Sequence, residues 1–306
     1  MADIKHYDVI IVGGGPAGLS AGIYTARARL NSLLIEKGLV GGLIVDAERL
    51  DNYPGFLEGI NGLKLSELMH AQATKYGLET TFAEVTGVKL EKGHKVVVTT
   101  EGSLLARAVI IAGGCHRKKL GVPGEKEFTG KGVSYCATCD GALFRDLPAA
   151  IVGGGNAAIT EALHLAKFAT KVTVVHRRDQ LRATSIMQEK AFAEPKIDFL
   201  WDSVIEGIEG GDLVNRVRLR NVKTGKESSL SVAGVFVSIG LLPNTEYLKG
   251  VLPLDEAGSI ITNCRLETEI AGIFAAGDIR QNSPRQVIAA AGDGATAAIG
   301  VANFLA

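Results

Sequence analysis

Cys136 and Cys139 are the residues whose type and spacing speak most directly of chemistry. They stand in Ser134-Tyr-Cys-Ala-Thr-Cys-Asp-Gly141, two thiols separated by two residues with an acid, Asp140, directly after them. Thiols at that spacing can close and reopen a disulfide, and at a helix start the N-terminal dipole favours the reactive thiolate. Asp140 is then a candidate proton carrier. A structural zinc is a competing use of such a pair, but it needs four ligands, and the chain offers no second Cys-x-x-Cys and no close pair of histidines. No metal is expected. Cys115 and Cys264 each stand alone in apolar sequence and read as inert core thiols.

The elements around the thiols come from a repeat. Tyr7-Asp-Val-Ile-Ile-Val-Gly-Gly-Gly-Pro-Ala-Gly18 and Ala149-Ala-Ile-Val-Gly-Gly-Gly-Asn-Ala-Ala158 share one plan, an apolar strand running through glycines into a helix. Gly13, Gly15 and Gly18 correspond to Gly153, Gly155 and Ala158, each pair 140 positions apart. The first glycine allows the tight turn, the second lets backbone N–H groups approach a pyrophosphate, and the third position permits close helix–strand packing. Two dinucleotide sites follow. Cys139 lies 14 residues before Gly153, close to the strand mouth of the second unit.

The two sites differ where ribose is read. The first unit's second strand, 32–36, ends in Glu36, 23 residues after Gly13, and a carboxylate there accepts both ribose hydroxyls. The second unit's strand, 172–175, runs instead into His176-Arg-Arg-Asp-Gln-Leu-Arg182. Arg177, Arg178 and Arg182 suit a 2′-phosphate through their planar forks. The first site is therefore assigned FAD and the second NADPH. Residues 63–76 read as an amphipathic helix, and 95–100, 108–112 and 234–239 as strands. Gly121-Val-Pro-Gly124 and Gly240-Leu-Leu-Pro-Asn244 read as linkers. Gly272-Ile-Phe-Ala-Ala-Gly-Asp278 repeats the strand-then-glycine plan and offers Asp278 to a ribitol hydroxyl, or as a cap for a helix over 292–305. The expected fold is α/β, with two Rossmann-like three-layer ββα nucleotide-binding domains. The NADPH domain, 118–244, carries the thiols and is inserted in a discontinuous FAD domain, 1–117 and 245–306.

Composition sets the surroundings. Lysine and arginine total 33, as do aspartate and glutamate, so no basic arm invites nucleic acid. No low-complexity stretch, signal sequence or membrane span stands out, and a cytoplasmic protein is expected.

Over nearly its whole length the chain resembles the low-molecular-weight thioredoxin reductases. The matching runs are Gly13-Gly-Gly-Pro-Ala-Gly18, Asn52-Tyr-Pro-Gly55, Cys136-Ala-Thr-Cys-Asp-Gly141, Gly153-Gly-Gly-Asn156, His176-Arg-Arg-Asp179 with Arg182-Ala183, and Ala275-Ala-Gly-Asp278 with Arg285-Gln-Val287. The resemblance implies a homodimer with bound FAD, NADPH entering as a substrate, and a thioredoxin-like disulfide protein as partner. It places Cys139 at the flavin, turns Cys136 toward the partner and makes Asp140 the proton donor. Candidate FAD contacts are Gly13, Gly15, Pro16, Ala17, Gly18, Glu36, Lys37, Gly41, Gly42, Leu43, Asn52, Val85, Ala112, Gly113, Asp278, Arg285, Gln286 and Val287. Candidate NADPH contacts are Gly153, Gly155, Asn156, Ala157, Ala158, His176, Arg177, Arg178, Arg182 and Ile239. In that family the NADPH domain rotates to present either the dithiol or the nicotinamide.

Some positions depart from the family pattern. Leu43 stands where a glutamine is usual, Gly113 where a threonine is usual, and Thr160-Glu161 where two acids are usual. Ala142-Leu143 replaces bulky aromatics after Cys-Asp-Gly, and Leu68 replaces a docking arginine. A glutaredoxin-like or peroxidase-linked disulfide protein is thus an alternative partner. A ferredoxin or flavodoxin NADP reductase, which needs no dithiol, is a further alternative, and a flavin-holding sensor without turnover is the non-enzymatic one.

Overall fold

Both glycine-rich segments fold as strand, turn and helix in the computed structural model, which describes residues 5–47, 49, 50, 52–91 and 93–306 except for the Cys139 side chain. The chain forms two units, Met1–His116 with Leu242–Ala306, and Arg117–Leu241. The second crossing falls inside the Gly240–Asn244 segment read as a linker, whereas the first falls after His116, so that Gly121–Gly124, also read as a linker, lies within the second unit.

The first unit begins with β1 (His6–Val12), α1 (Pro16–Arg27) and β2 (Ser32–Glu36). Pro16 opens α1, where its fixed φ suits a first helical turn and its missing N–H costs no bond. Next comes α2 (Gly62–Lys75), capped by Asn61, whose side chain accepts from the Lys64 nitrogen at 3.1 Å. Four strands follow: β3 (Glu79–Phe82), β4 (Val85–Glu91), β5 (His94–Thr99) and β6 (Gly102–Ile111). The last is longer than the five residues, 108–112, that its apolar run suggests. Its first half pairs antiparallel with β5, and alternating side chains there leave a weaker apolar signal.

After β7 (Cys115–Arg117) the inserted unit runs through β8 (Val133–Ser134), the single turn α3 (Ala137–Asp140), β9 (Pro148–Val152), α4 (Asn156–Leu165) and β10 (Lys171–Val175). It continues with α5 (Ser185–Ala193), β11 (Ile197–Leu200), an antiparallel trio β12 (Ser203–Gly210), β13 (Val214–Asn221) and β14 (Glu227–Ser231), then β15 (Gly234–Val237). The chain returns by β16 (Leu241–Pro243) and ends with β17 (Ile273–Ala275) and α6 (Val287–Leu305).

The first unit's sheet has the order β3-β2-β1-β6-β5-β4, with β17 also on β6; β1, β2, β3, β6 and β17 are parallel. The inserted unit's parallel sheet has the order β11-β10-β9-β15-β8. In each, the glycine turn follows a strand flanked by parallel neighbours, so helix N-terminus and strand C-termini share one end of the sheet. Each unit also has its own core. Ile10, Ile11, Ile110, Ile111 and Phe274 are fully buried in the first, and Ile151, Ile159, Leu165 and Phe236 in the second. Each such side chain contributes about 1.5–3 kcal/mol.

Helix α6 begins five residues before the expected 292, and over that greater length it has, among the described residues, the length and apolarity of a membrane span, where none was expected from the sequence. Its small-residue face, Ala290, Ala291, Gly294, Ala297 and Ala298, is buried in the same core as Ala17 and Ala21 of α1. A side chain at Gly294 would overlap the Ala17 carbonyl.

Candidate functional site

Three sites can be built from residues that lie within a single unit. In the first unit Gly13 has φ +105°, and a side chain there would lie 2.9 Å from the Gly113 α-carbon. Only glycine closes this turn. Gly15 differs: its backbone is ordinary, at φ −74°, and its nearest neighbour, the Gly41 carbonyl oxygen, would lie 3.9 Å from an added Cβ. Nothing among the described residues demands glycine there. A side chain would instead fill the open space before the α1 N-terminus, the kind of space in which backbone N–H groups can meet a pyrophosphate. Gly41 and Gly42 close one flank, with the Gly41 nitrogen on the Gly14 carbonyl at 2.8 Å.

Glu36 accepts from the Gly14 nitrogen at 2.7 Å through one oxygen and from the Gly38 nitrogen at 2.9 Å through the other. The acid read as a ribose acceptor thus also braces the turn. Pro16, Ala17 and Gly18 line the start of α1. Ala112 extends β6 through its nitrogen on the Val12 carbonyl at 2.8 Å. Lys37 stands on the surface 3.8 Å from Glu84, and Val85 opens β4. Leu43 is exposed on a 3-10 turn.

Asp278, Asn52 and the Arg285–Val287 run come from three other stretches. Asn52 Nδ2 donates to Gln286 Oε1 at 2.9 Å, bringing together residues 234 positions apart. Ser283 Oγ lies 3.3 Å from Asp278 Oδ1 and accepts from the Arg285 nitrogen at 3.2 Å. Burial, above all, pushes the Asp278 carboxyl above its usual range. Asp278 does not occupy the cap of α6, a place held by Gln286. Asp293 on α6 instead ties that helix back, accepting from the Gly277 nitrogen at 3.0 Å and from Arg280 at 2.6 and 2.9 Å. Asp293 gave no pattern in the sequence.

In the inserted unit Gly153 has φ +151°, and a side chain there would meet Ala158 at 2.6 Å. A small residue is therefore needed at the third position. Gly155, with φ −94° and nothing within 4 Å of an added Cβ, again leaves a helix N-terminus open. Asn156 Oδ1 accepts from the Thr184 nitrogen at 2.8 Å; Ala157 is exposed and Ile239 half-buried.

Arg182 and Ala183 both donate their backbone nitrogens to the Gly154 carbonyl, at 2.6 and 3.1 Å. This pins the arginine segment to the glycine turn. His176 is buried, its Nε2 3.0 Å from the Gln180 carbonyl. Arg177, Arg178 and Arg182 border a pocket of about 320 Å³ together with Asp179, Asp202 and Lys223. The arginine signature was legible; Asp202 and Lys223, from β11–β12 and β13–β14 connections, were not.

The third site is the thiol segment. Cys136 is disulfide-bonded. The Cys139 side chain lies outside the described residues, and its backbone belongs to α3. Ser134 Oγ donates to Asp140 Oδ2 at 2.6 Å and accepts from the Cys136 nitrogen at 3.0 Å, so one hydroxyl joins the acid to the cysteine backbone. Glu125, buried, accepts from the Leu120 and Gly121 nitrogens and from the Tyr135 hydroxyl at 2.7–2.8 Å. Arg117 reaches the Tyr135 carbonyl and pairs with Glu161 of α4 at 3.2 Å. Ser134 and Glu125 escaped sequence reading because neither belongs to a spacing rule. Leu143, next to α3, is 75% exposed.

Of the two single cysteines, Cys115 is buried; its Sγ donates to the Asp278 carbonyl at 3.2 Å, and burial pushes the thiol up to about 11. Cys264 is exposed, which corrects its reading as a core thiol. Cys264 sits with Arg265 on a turn, so the burial of nearby Leu266 does not extend to it.

The profile of the pyridine nucleotide-disulphide oxidoreductases matches residues 7–294. The chain is 48% identical to the thioredoxin reductase of Bacillus subtilis, covering 100% of this chain and 96% of that protein. It is similar to the solved thioredoxin reductase of Lactococcus lactis at 44% identity and a TM-score of 0.92, covering 98% and 99% of the two chains. The thioredoxin reductase of T. acidophilum matches at 33% identity and a TM-score of 0.89, covering 98% of each chain.

Proposed function

Because the chain belongs to the pyridine nucleotide-disulphide oxidoreductases and, among them, to the thioredoxin reductases, we propose that it carries electrons from NADPH to a thioredoxin-type protein disulfide through Cys136 and Cys139. The observation that carries the reading is that one unit holds both a disulfide-bonded Cys136 and an arginine-walled pocket at the ribose end of a nucleotide turn.

The first unit's residues fit FAD: its open helix N-terminus would hold the pyrophosphate, Glu36 the ribose, and Asp278 with Asn52 and Gln286 the remainder. Bound there, FAD would supply the two-electron chemistry that links NADPH oxidation to disulfide reduction. The inserted unit's own residues do the rest. Arg177, Arg178 and Arg182 hold the 2′-phosphate, and Gly155 lets the α4 N-terminus meet the pyrophosphate. Two electrons open the internal disulfide. Cys136 then attacks the partner's disulfide as a thiolate, forming a mixed disulfide and releasing one partner thiolate. Attack by Cys139 on the Cys136 sulfur releases the second and restores the internal disulfide. Each partner thiolate gains a proton, one of them from Asp140, which Ser134 holds beside Cys136.

Cys136→Ser should lower turnover with thioredoxin by on the order of 100-fold or more while NADPH-driven reduction of a small acceptor continues. Thioredoxin turnover at the normal rate in that variant would overturn the reading. A second partner class is favoured by one observation, the Ala142-Leu143 surface, where Leu143 is exposed and aromatic anchors are lacking. Turnover compared between thioredoxin and a glutaredoxin-like or peroxidase-linked disulfide protein decides between them. The reading also includes a homodimer in the cytosol, supported by exposed Ile288, Ile299 and Phe304 on α6 and by two free cysteines.

A further inference from the structure

The arginine-walled pocket also holds an acid. Asp179 lies between Arg178 and Arg182 in sequence and borders the same pocket. A carboxylate there repels the phosphate the arginines would bind and competes with it for their N–H groups. Lys223 meets it: Nζ is 2.8 Å from Asp179 Oδ2 and 3.1 Å from Asp202 Oδ2.

The lysine's placement is built by the backbone. It sits at the turn between β13 and β14, where Asn221 Oδ1 accepts from the Lys223 and Thr224 nitrogens at 3.0 and 2.9 Å. Asp202 stitches this turn to the arginine segment. Its nitrogen donates to the Arg178 carbonyl at 3.3 Å, and its carbonyl accepts from the Val222 nitrogen at 2.6 Å. Asp202 does this in the left-handed region, at φ +50°, a conformation that costs a non-glycine residue energy.

We propose that Lys223 is a positioning and specificity-determining residue for the nucleotide's 2′-phosphate: it neutralises Asp179 and holds it back, so that the arginines face the phosphate without a competing carboxylate. With Lys223 the pocket's six charged side chains sum to a formal +2, and without it to +1. The pair is exposed, so its effect is on the approaching anion and is screened by salt.

The proposal rests on the NADPH reading, and the test separates the two. The FAD-loaded full-length protein is titrated calorimetrically at low ionic strength with adenosine 2′,5′-bisphosphate and with 5′-AMP, which lacks the 2′-phosphate. K223M, which keeps the aliphatic stem, should bind the bisphosphate about tenfold more weakly and 5′-AMP unchanged, with the gap closing as salt is raised. Adding D179N to K223M should restore bisphosphate binding to within about twofold, because no carboxylate then needs holding. An unmodified protein that binds both probes equally overturns the NADPH reading. A normal preference in K223M, an equal loss for both probes, or no recovery in the double variant overturns the role of Lys223 alone.

Discussion

His176 occupies in the second repeat the place Glu36 holds in the first, yet it does a different task. Glu36 accepts from the Gly14 and Gly38 backbone nitrogens, whereas the His176 ring is buried against Gly154, where even a methyl group would overlap it. Burial, above all, lowers the histidine's pKa from the usual 6.5, and Arg182, Arg178 and Arg177 lower it further against the opposing hydrogen bond to Gln180. The native protein therefore keeps the ring neutral while the unfolded chain takes up a proton below about pH 6.5. Its contribution to stability is present above that pH and is lost as pH falls toward the folded value. Denaturant unfolding followed at pH 7.5, 6.5 and 5.5 should show a smaller acid loss for His176→Gln than for the unaltered protein. Equal losses would mean that His176 does not govern this range. At this scale the arginines and the thiol pair were legible, because their chemistry shows in residue type and spacing. Lys223 was not, because a lone lysine in a polar turn has no pattern and acquires meaning only from Asp179 and Asp202 beside it.

Helix α6 contains glycines that its sequence does not distinguish but its packing does. An added methyl at Gly294 would overlap the Ala17 carbonyl and lie 2.9 Å from the Ala21 nitrogen, while at Gly292 it would meet nothing within 4 Å. Gly294→Ala should thus destabilise the protein by about 1–3 kcal/mol through forced separation of α1 and α6. Gly292→Ala should stabilise it by roughly 0.5–1 kcal/mol through helix propensity. Thermal melts of the two FAD-loaded variants check this, and melting shifts of the same sign would contradict the packing account. Strand β2 runs from Ser32 to Glu36 as its apolar run suggests, and α2 falls within a residue of its expected bounds. The start of α6 was missed, because the residues from Val287 to Ala291 lack a polar face to mark a period. The short β7, β8 and β16 lacked any signal, being set by pairing with distant segments.

For the whole chain, the insertion leaves each unit with its own core and with neighbouring ends. Within the inserted unit the Lys118 nitrogen donates to the Gly240 carbonyl at 2.9 Å, and within the first unit the Asn244 nitrogen donates to the Gly114 carbonyl at 3.0 Å. Residues 117–241 produced alone should fold cooperatively and bind adenosine 2′,5′-bisphosphate, since such a unit needs no core residue from elsewhere. A non-cooperative melt of that fragment would contradict it. The sequence by itself determined the α/β class, the two glycine turns between strand and helix, the dithiol segment and the arginine signature. Each of these is a local demand: a turn only glycine can make, a strand's alternation or apolar run, a spacing between reactive atoms. The tertiary structure alone decided that Ser134 joins Asp140 to the Cys136 backbone, that Asn52 meets Gln286, that Cys264 is exposed and that Lys223 guards Asp179. Those relations join residues whose spacing along the chain follows no rule, and only the folding of distant segments onto one another brings such groups within hydrogen-bonding reach.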